Sequence, residues 1–301
     1  MGAGRWSAVG VDVGGSRIRA ARVAEGRVEA EAVRATPRGD PTLVLGALTA
    51  AVDEVHRAGL PIGVGVAGQI DPAAGVVRTS PNLPGRNVPL GPALEDAFGV
   101  PVLVDNDVRM AAVGAWLSLG RRHRVLVTLS VGTGIGSGAV LHGRPLDGAH
   151  NLAGEAGHAT FRPGGELCGC GRRGCFEAYA GGRAVARRAA ARMAGSREAP
   201  ADAREVALLA ERGDPVAQEI WREAGEAVVT LAWNLVVLYD PEVLVLGGGV
   251  FHGVPELVDA VREHVASQAW SGFPVPEVVP GDPAAGVKGA AWAAWKEQRR
   301  G

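Results

Sequence analysis

Residues 7–23, SAVGVDVGGSRIRAARV, have the pattern of an apolar strand, a tight turn with two glycines, and a second strand. The same order returns at residues 125–141, VLVTLSVGTGIGSGAVL. A shift of 117 residues aligns Gly15 with Gly132 and Ile18 with Ile135. A pattern that recurs at a fixed offset is typical of an internal repeat. We therefore predict that the chain contains a duplicated, strand-rich α/β unit.

The segment between the two copies also contains helical patterns. Leu43, Ala47, Ala51 and Val55 recur at helical spacing, and Gly59 stands where a C-terminal cap belongs. The spacing therefore predicts a helix over this segment that ends before Gly59.

Two related units predict two lobes with the active site in the cleft between them. We expect residues 1–119 to form a small N-terminal lobe, with a C-terminal helix at about 286–301 packing back on it. Residues 120–285 are expected to form a larger C-terminal lobe.

Composition and charge narrow the range of partners. The chain has 31 basic and 32 acidic residues, a formal net charge of -1, so no global field draws it to nucleic acid or lipid. No apolar run approaches the roughly 20 residues that span a bilayer, and the N-terminus shows no secretory apolar region. We expect a cytoplasmic protein with neither nucleic acid nor membrane as a partner.

The first glycine turn, Asp12-Val-Gly-Gly-Ser16, suits an anion. Gly14 and Gly15 let backbone N–H groups converge on a phosphate, and Ser16 adds a hydroxyl. Asp12 suits a hydrated magnesium ion. Taken alone the pattern is weak, because any hairpin can require two glycines.

The second turn repeats this arrangement with Gly132, Thr133 and Gly134. Neither turn is a Walker loop, because no Gly-Lys-Ser/Thr follows, and neither opens a helix as the dinucleotide fingerprint does. Two such turns in a duplicated unit favour a nucleoside triphosphate.

A polar triplet, Asp105-Asn106-Asp107, follows an apolar strand and precedes a helical pattern. Asp107 fits the role of N-cap of that helix. An Asn-Asp pair also binds adjacent sugar hydroxyls, with the carboxylate accepting the proton of an attacking hydroxyl. The residues alone leave both interpretations open.

All three cysteines lie within eight residues, at Cys168, Cys170 and Cys175, and His158 precedes them. Three thiols and one imidazole form a complete tetrahedral set for zinc, which predicts a closed, structural site. The spacing is unlike that of a zinc finger, and the alternative is three unrelated thiols or a disulfide.

A metal at this position would fix a loop that carries Glu155, His158 and Glu177. We expect these side chains to supply further polar contacts to a ligand. For His158 the alternative is that it binds the metal alone.

Taken together, these motifs resemble the ROK family of bacterial sugar kinases and related repressors. The resemblance covers nearly the whole chain, and the histidine–cysteine motif is its most specific part. It rests on Asp12–Ser16, Asp105–Asp107, Gly132–Gly136, Gly154–His158 and Cys168–Glu177. It implies an α/β, two-lobed, actin-like ATPase fold (a duplicated ribonuclease H-like unit) that closes on sugar and ATP.

The resemblance also implies roles for individual residues. Asp107 matches the catalytic base, and Asn106 matches a ligand of the sugar hydroxyls. In the family the histidine that His158 matches contacts the sugar through one ring nitrogen and zinc through the other. The remaining matches are the sugar ligands Glu155 and Glu177, the pocket residues Gly68 and Asn82, the phosphate-loop residues Gly132 and Thr133, and the nucleotide-side glycines Gly247, Gly248 and Gly249.

Four positions depart from the family pattern. Ser16 stands where Thr is usual and keeps the hydroxyl, and Asp105 stands where Glu is usual. Arg109 replaces an Asn, and Arg86 lies where many glucose kinases carry Trp. These two arginines change the fine shape of the sugar pocket more than its chemistry.

The expected function is ATP-dependent phosphorylation of a hexose at the 6-hydroxyl, with glucose as the first candidate. An N-acetylhexosamine or fructose kinase, or a sugar-sensing regulator without turnover, is the alternative. The expected cofactors are ATP, Mg²⁺ and a structural Zn²⁺, and polyphosphate is an alternative donor. We expect a homo-oligomer, either a dimer or a tetramer.

Overall fold

The computed structural model describes residues 6–194 and 199–299. Residues 1–5 of the predicted first lobe, 195–198 of the second and the last two of the predicted C-terminal helix lie outside these ranges. The strands are β1 (Ser7–Val13), β2 (Arg17–Ala24), β3 (Arg27–Ala35), β4 (Ile62–Val66), β5 (Gln69–Asp71), β6 (Val76–Thr79), β7 (Arg86–Val88), β8 (Val102–Asn106), β9 (Val125–Val131), β10 (Ile135–Leu141), β11 (Arg144–Pro145), β12 (Val243–Gly247) and β13 (Glu277–Pro280).

The helices fall between the strands, as expected for an α/β chain. They are α1 (Pro41–Val55), α2 (Leu90–Phe98), α3 (Asp107–Ser118), α4 (Phe176–Ala180), α5 (Gly182–Arg192), α6 (Ala203–Glu211), α7 (Pro215–Tyr239), α8 (Gly249–Gly253), α9 (Pro255–Gln268) and α10 (Ala285–Gln298). A short 3₁₀ turn covers Ala156–His158.

Two five-stranded sheets share one strand order. The first runs β3-β2-β1-β4-β8 and the second β11-β10-β9-β12-β13. In the first sheet β1 pairs antiparallel with β2 and parallel with β4. In the second, β12 is parallel to both β9 and β13. The equivalent strands occur in the same order in both halves of the chain, which confirms the predicted duplication. A separate three-stranded sheet has the order β5-β6-β7.

Strand β1 is buried on both faces because helices cover both sides of the first sheet. Val9, Val11 and Val13 belong to one apolar core, to which α1 contributes. Ala8, which points the opposite way, packs in a second cluster with Val287 of α10. Because side chains alternate along a strand, these two clusters account for a nearly continuous apolar run in β1.

Helix α10 lies directly on the backbone of β1 and β4. A Cβ atom at Gly10 would stand 1.8 Å from the carbonyl oxygen of Val287, and one at Gly63 would stand 1.9 Å from that of Ala290. Only glycine permits this approach, so we expect either Gly→Ala change to push α10 away from the sheet.

Contacts divide the chain into two compact units. The first consists of Met1–Arg124, Gly138–Gly154 and Asp282–Gly301, and the second of Val125–Ser137 and Glu155–Gly281. This division differs from the predicted lobes, 1–119 and 120–285, chiefly because residues 138–154 group with the first unit. The predicted lobe boundaries stay a prediction.

Helix α1 is present where the sequence predicts it, and its buried face includes Ala51 and Val55 of the predicted spacing but begins differently. Leu43 is 56% exposed, whereas Val44 and Leu48 are fully buried. The helix ends with a C-cap at His56, and Gly59 falls in the following turn. Leu and Val at adjacent positions satisfy the spacing equally well, so the tertiary packing selects between them.

None of the helices formed by residues 6–194 and 199–299 has the length and apolar character needed to cross a membrane.

Candidate active site and metal centre

Predicted site residues of the first unit follow three parallel strands at the same edge of the first sheet. Gly14 follows β1, Gly68 follows β4, and Asp107 follows β8. Strand pairing aligns Asp12 with Gly65 and Gly65 with Asp105. The carboxyl ends of parallel strands are where open α/β sheets bind ligands. The sheet topology therefore brings these predicted residues to one edge.

The geometry of the polar triplet decides which of its residues is the N-cap of α3. The N-cap of α3 is Asn106, whose Oδ1 accepts hydrogen bonds from the backbone N–H groups of Val108 (3.0 Å) and Arg109 (3.1 Å). Asp107 is the first helical residue, and its Oδ1 accepts from the Val108 N–H at 2.9 Å. The N-cap interpretation of Asp107 is therefore wrong, because its neighbour fills that position.

Gly68 and Asn82 have clear local roles. A Cβ at Gly68 would stand 2.1 Å from the carbonyl oxygen of Thr79, and its φ is +126°, so both space and backbone conformation require glycine. Asn82 donates from Nδ2 to the carbonyl oxygen of Val13, the last residue of β1, at 3.3 Å. This bond holds the segment around Asn82 at the carboxyl end of β1.

The first glycine turn is closed by its own neighbours. The N–H of Gly14 donates to the carbonyl oxygen of Arg17 at 2.9 Å, and the Thr36 hydroxyl donates to the carbonyl oxygen of Gly14 at 2.8 Å. Asp12 precedes the turn and lies against the start of α10 at Gly286. Burial raises the pKa of the Asp12 carboxyl above its ordinary value, and Arg19 opposes the rise.

The second glycine turn is held by the segment that follows the cysteines. Gly132 and Thr133 accept hydrogen bonds at their carbonyl oxygens from the N–H groups of Gly182 (2.8 Å) and Arg183 (3.0 Å). Within the turn, the Gly132 N–H donates to the carbonyl oxygen of Gly134 at 2.9 Å. The start of α5 therefore fixes this turn.

Three of the four glycines predicted to lie beside the nucleotide have open space at the Cβ position. A Cβ at Gly132 meets nothing nearer than the Gly249 nitrogen at 3.9 Å, and Gly247 and Gly249 meet nothing within 4 Å. Gly248 differs: its φ is +91° and its Cβ would stand 2.4 Å from the carbonyl oxygen of Val131. Packing requires Gly248 alone of these four, so the open space beside the other three is available to a ligand.

The four predicted metal ligands converge. His158, Cys168, Cys170 and Cys175 place their ligand atoms within 4.8 Å of one another. Cys168 Sγ lies 3.7 Å from His158 Nδ1, and Cys170 Sγ lies 3.7 Å from Cys175 Sγ. With zinc–sulfur bonds of about 2.3 Å, a tetrahedron has S···S edges of about 3.8 Å. The donor set therefore fits zinc, and the sulfurs are too far apart for a disulfide.

The cluster also orients His158. Nδ1 faces the sulfurs, while Nε2 lies 3.8 Å from Oε2 of Glu155, whose side chain is 47% exposed. Burial raises the pKa of the Cys168 thiol to about 12, so a metal ion that binds here displaces a tightly held proton. One imidazole can therefore face the metal set and the exposed Glu155 at once.

Glu177 has a contact that the sequence did not suggest. Its Oε2 accepts a hydrogen bond from the N–H of Ile135 at 2.9 Å, and a Cβ at Gly134 would stand 2.4 Å from the same oxygen. Its Oε1 lies 3.9 Å from Cys168 Sγ. The predicted sugar ligand thus bonds to the second glycine turn beside the metal cluster.

An arginine–glutamate–aromatic network supports the segment that carries the candidate metal ligands. Arg162 pairs with Glu223 of α7 at 2.6 Å, and Arg188 of α5 also pairs with Glu223. Tyr179 packs against both arginines and accepts a hydrogen bond from the Glu166 N–H at 3.0 Å. The sequence does not predict this network, because only the fold brings together charges that lie so far apart in the chain.

Sequence reasoning also missed Asn151 and the burial of Arg109. Arg109 was noted as a departure from the family pattern, yet its side chain is only 2% exposed and pairs with Asp105. Asn151 is one polar residue within a polar stretch, and nothing in the sequence distinguishes it as a site residue.

A scan against protein families matches the chain to the ROK family over residues 8–297. The glucokinase of Streptomyces coelicolor is 31% identical over 272 residues, covering 85% of this chain and 86% of that protein. The N-acetylmannosamine kinase of Citrobacter koseri is 34% identical over 265 residues, covering 87% and 89%.

Solved structures give the same result. A ROK hexokinase from Thermus thermophilus superposes with a TM-score of 0.79 at 36% identity, covering 98% of this chain and 100% of that one. A ROK glucokinase from Streptomyces griseus, in complex with glucose and AMPPNP, gives 0.80 at 30% identity with the same coverage. The chain therefore belongs to the ROK family and has the actin-like ATPase fold of its sugar kinases.

Proposed function

We propose that this ROK sugar kinase transfers the γ-phosphoryl group of ATP to the 6-hydroxyl of a hexose, with glucose as the preferred acceptor. The observation that carries the proposal is the strand-to-helix junction at Asn106–Asp107. Asn106 is the N-cap of α3, and Asp107 follows it as the first helical residue at the carboxyl edge of the sheet, where its Oδ1 also accepts the N–H of Val108. The glucokinase names of the relatives supply the choice of glucose.

Asp107 is the proposed general base. It would accept the proton of the 6-hydroxyl as that oxygen attacks phosphorus in line and ADP leaves. Asn106, Glu155, His158 and Glu177 are the proposed ligands of the other sugar hydroxyls, and Gly68 and Asn82 are proposed to line the sugar pocket.

ATP, the phosphoryl donor, is proposed to lie against the two glycine turns and the open glycines. Gly14, Gly15 and Ser16 would direct hydrogen-bond donors at one end of the phosphate chain. Gly132, Thr133 and Gly134 would do the same at the other end. Gly247 and Gly249 offer space, while Gly248 shapes the turn that presents them. Asp12 would help to hold a magnesium ion, which when bound would neutralise charge that develops on the transferring phosphoryl group.

Zinc is the proposed structural metal, held by His158, Cys168, Cys170 and Cys175. The separations of the four ligand atoms fit a closed tetrahedral site, which leaves no position for water. The role proposed for the metal is to fix the segment from Glu155 to Glu177.

N-acetylmannosamine is the second candidate acceptor, because a kinase of that sugar is 34% identical to this chain. The two acceptors differ by a bulky acetamido group at C2 and by configuration there. A pocket shaped for a hydroxyl at C2 would reject it sterically, whereas one shaped for the amide would leave polar groups unpaired with glucose.

A coupled assay of ADP release against glucose, fructose, mannose and N-acetylated hexosamines tests the proposal, with ATP and polyphosphate compared as donors. Glucose with ATP is expected to give the highest kcat/KM. Turnover of N-acetylmannosamine alone would overturn the choice of sugar. Hexose binding without turnover of any sugar would instead support the sensing regulator. Light scattering on the same preparation tests the proposed dimer or tetramer.

A further inference from the structure

Arg109 is a buried cation beside the proposed catalytic base, two residues further along α3. Its side chain is 2% exposed, and Nη1 pairs with Asp105 Oδ1 at 2.5 Å. The same Nη1 donates to Oδ1 of Asn151, and Nη2 donates to the Asn151 carbonyl oxygen at 3.2 Å. The guanidinium therefore joins the strand end to a residue 42 positions away in sequence.

Asn151 is less exposed than the residues on either side of it. Residues 147–150 and Leu152 are exposed, whereas Asn151 is partly buried. Its Nδ2 donates to Asp105 Oδ1 and to the carbonyl oxygen of Ile70, both at 3.2 Å. Its φ is +59°, a left-handed conformation that asparagine tolerates better than most residues. Asn151 thus anchors the segment 147–154 to the first unit.

Asp105 connects Asn151 to the Asn106–Asp107 junction, which carries the proposed catalytic base. Its Oδ1 also accepts the N–H of Asn106 at 2.7 Å, so one carboxylate oxygen receives donors from Asn106, Arg109 and Asn151. The backbone N–H of Arg109 is in turn capped by Asn106. Movement of Arg109 would therefore disturb Asn106 through both its side chain and its backbone.

Such an arrangement is a poor way to gain stability. Burying an ion pair costs desolvation that the mutual attraction often fails to recover. In addition, the Nε of Arg109 is buried with no hydrogen-bond partner among the described residues. Because the buried guanidinium leaves one N–H donor unpaired, its presence is better explained by the residues that it positions than by a gain in stability.

We propose that Arg109 is a positioning residue for phosphoryl transfer. With Asp105 and Asn151, it fixes the Asn106–Asp107 junction and attaches the segment 147–154 to it. This inference rests on the proposed function in that Asp107 is the base it serves. The segment ends just before Glu155, a proposed sugar ligand, so the attachment also fixes the start of that part of the chain.

The first unit contains a matched control. Arg78 is 49% exposed; it pairs with Asp71 at 2.6 Å and donates to Asn87 Oδ1 at 3.1 Å. Asn87 has a φ of +53°, close to that of Asn151. The exposed cluster therefore has the same three residue types and the same backbone demand on its asparagine, and none of its three side chains is among those assigned to the site.

The experiment compares Arg109→Lys and Asn151→Ala with Arg78→Lys and Asn87→Ala. We expect kcat with glucose to fall about 10- to 100-fold in the first pair, since small misplacements of reacting groups have effects of this size. The KM for ATP should change little. The control pair should keep the parent kcat. The double variant Arg109→Lys/Asn151→Ala should be no slower than the slower single variant, because both act through one contact.

Hydrogen exchange gives a readout that does not depend on activity. Amides in 147–154 should exchange faster in Arg109→Lys and Asn151→Ala, but not in the controls. If both variants keep the parent kcat per folded molecule and the parent exchange in 147–154, the proposal is overturned. If the parent protein phosphorylates no hexose, the proposed function fails, and unchanged exchange in the variants would still overturn the attachment.

Discussion

The two glycine turns of the duplicated unit have related sequences but different supports. The first, after β1, is closed by the Gly14–Arg17 backbone bond and by the Thr36 hydroxyl of the segment that follows β3. The second, after β9, is bonded at Gly132 by the start of α5. The first turn thus depends on its own sheet, and the second on helices that come later in the chain.

Those helices directly follow the last metal ligand. Helix α4 begins at Phe176, next to Cys175, and carries Glu177, which bonds to Ile135 of the second turn. Helix α5 then supplies the N–H groups of Gly182 and Arg183. The second turn is therefore held by helices that follow the four candidate metal ligands, whereas the first turn is not. We expect loss of the metal to loosen the second turn but not the first.

The largest expected effect does not depend on either turn. Asp107→Asn keeps the size of the side chain and removes the base, so kcat with glucose should fall by about 10²- to 10⁴-fold while glucose still binds. Asp96→Asn, on an exposed position of α2, is the control. Steady-state kinetics and equilibrium binding of glucose measure the two quantities. A normal kcat in Asp107→Asn would place the base elsewhere.

The metal site provides the direct test of the difference between the turns. Cys170→Ser weakens the zinc site, because a neutral hydroxyl is a poor ligand beside a thiolate. We expect sugar affinity to fall about 10- to 100-fold, the range typical of support around a metal site. The KM for ATP should rise as well, since α4 and α5 hold the second turn.

Metal analysis and hydrogen exchange complete that comparison. The parent should contain about one zinc per chain, in keeping with one four-ligand set, and the variant much less. Amides of residues 132–136 should exchange faster in the variant, while those of residues 14–17 should not change. Equal loosening of both turns would show that the metal stabilises the whole chain and not the second turn.

A smaller effect is expected from filling the open space beside the second turn. Gly132→Val adds a side chain where the nearest atom to a Cβ is 3.9 Å away, so the fold should tolerate it. A phosphate in that space would be displaced, and the KM for ATP should rise about tenfold, which corresponds to about 1.4 kcal/mol. The KM for glucose is the internal control. Equal changes in both constants would point to general distortion.

The smallest expected effect concerns stability at the first turn. Burial raises the pKa of Asp12, so the folded protein holds this proton more tightly than the unfolded chain does. Stability therefore falls as pH rises from the ordinary aspartate pKa through the raised one. Asp12→Asn should unfold at a higher temperature than the parent at pH 7, and the gap should close in acid. A lower unfolding temperature at pH 7 would contradict this.

Much of the fold was predictable because strand and turn signals are local. The repeat of residues 7–23 at 125–141 predicted two related sheets, and both have the same strand order. The convergence of the four candidate metal ligands was also predictable, because they cluster in sequence and have few other uses. Helix faces were less certain: the buried face of α1 begins at Val44 instead of Leu43, a choice made by packing.

The supports of the site were not predictable. The bond from Ile135 to Glu177 spans 42 residues, and the contacts of Asn151 with Ile70 and Asp105 span 81 and 46. No periodicity links such residues, and a single sequence contains no signal for a bond that only the folded chain creates. The cap at Asn106 instead of Asp107 was also undecided, since both residue types cap helices well.

The most direct test of the proposed chemistry is to identify the product. The purified protein would be incubated with glucose, ATP and Mg²⁺, and the product examined by phosphorus NMR with proton coupling. We predict one new phosphomonoester whose phosphorus couples to the two methylene protons of C6, with ADP formed in equal amount. An ester on another carbon, or ADP release without a sugar phosphate, would contradict the account.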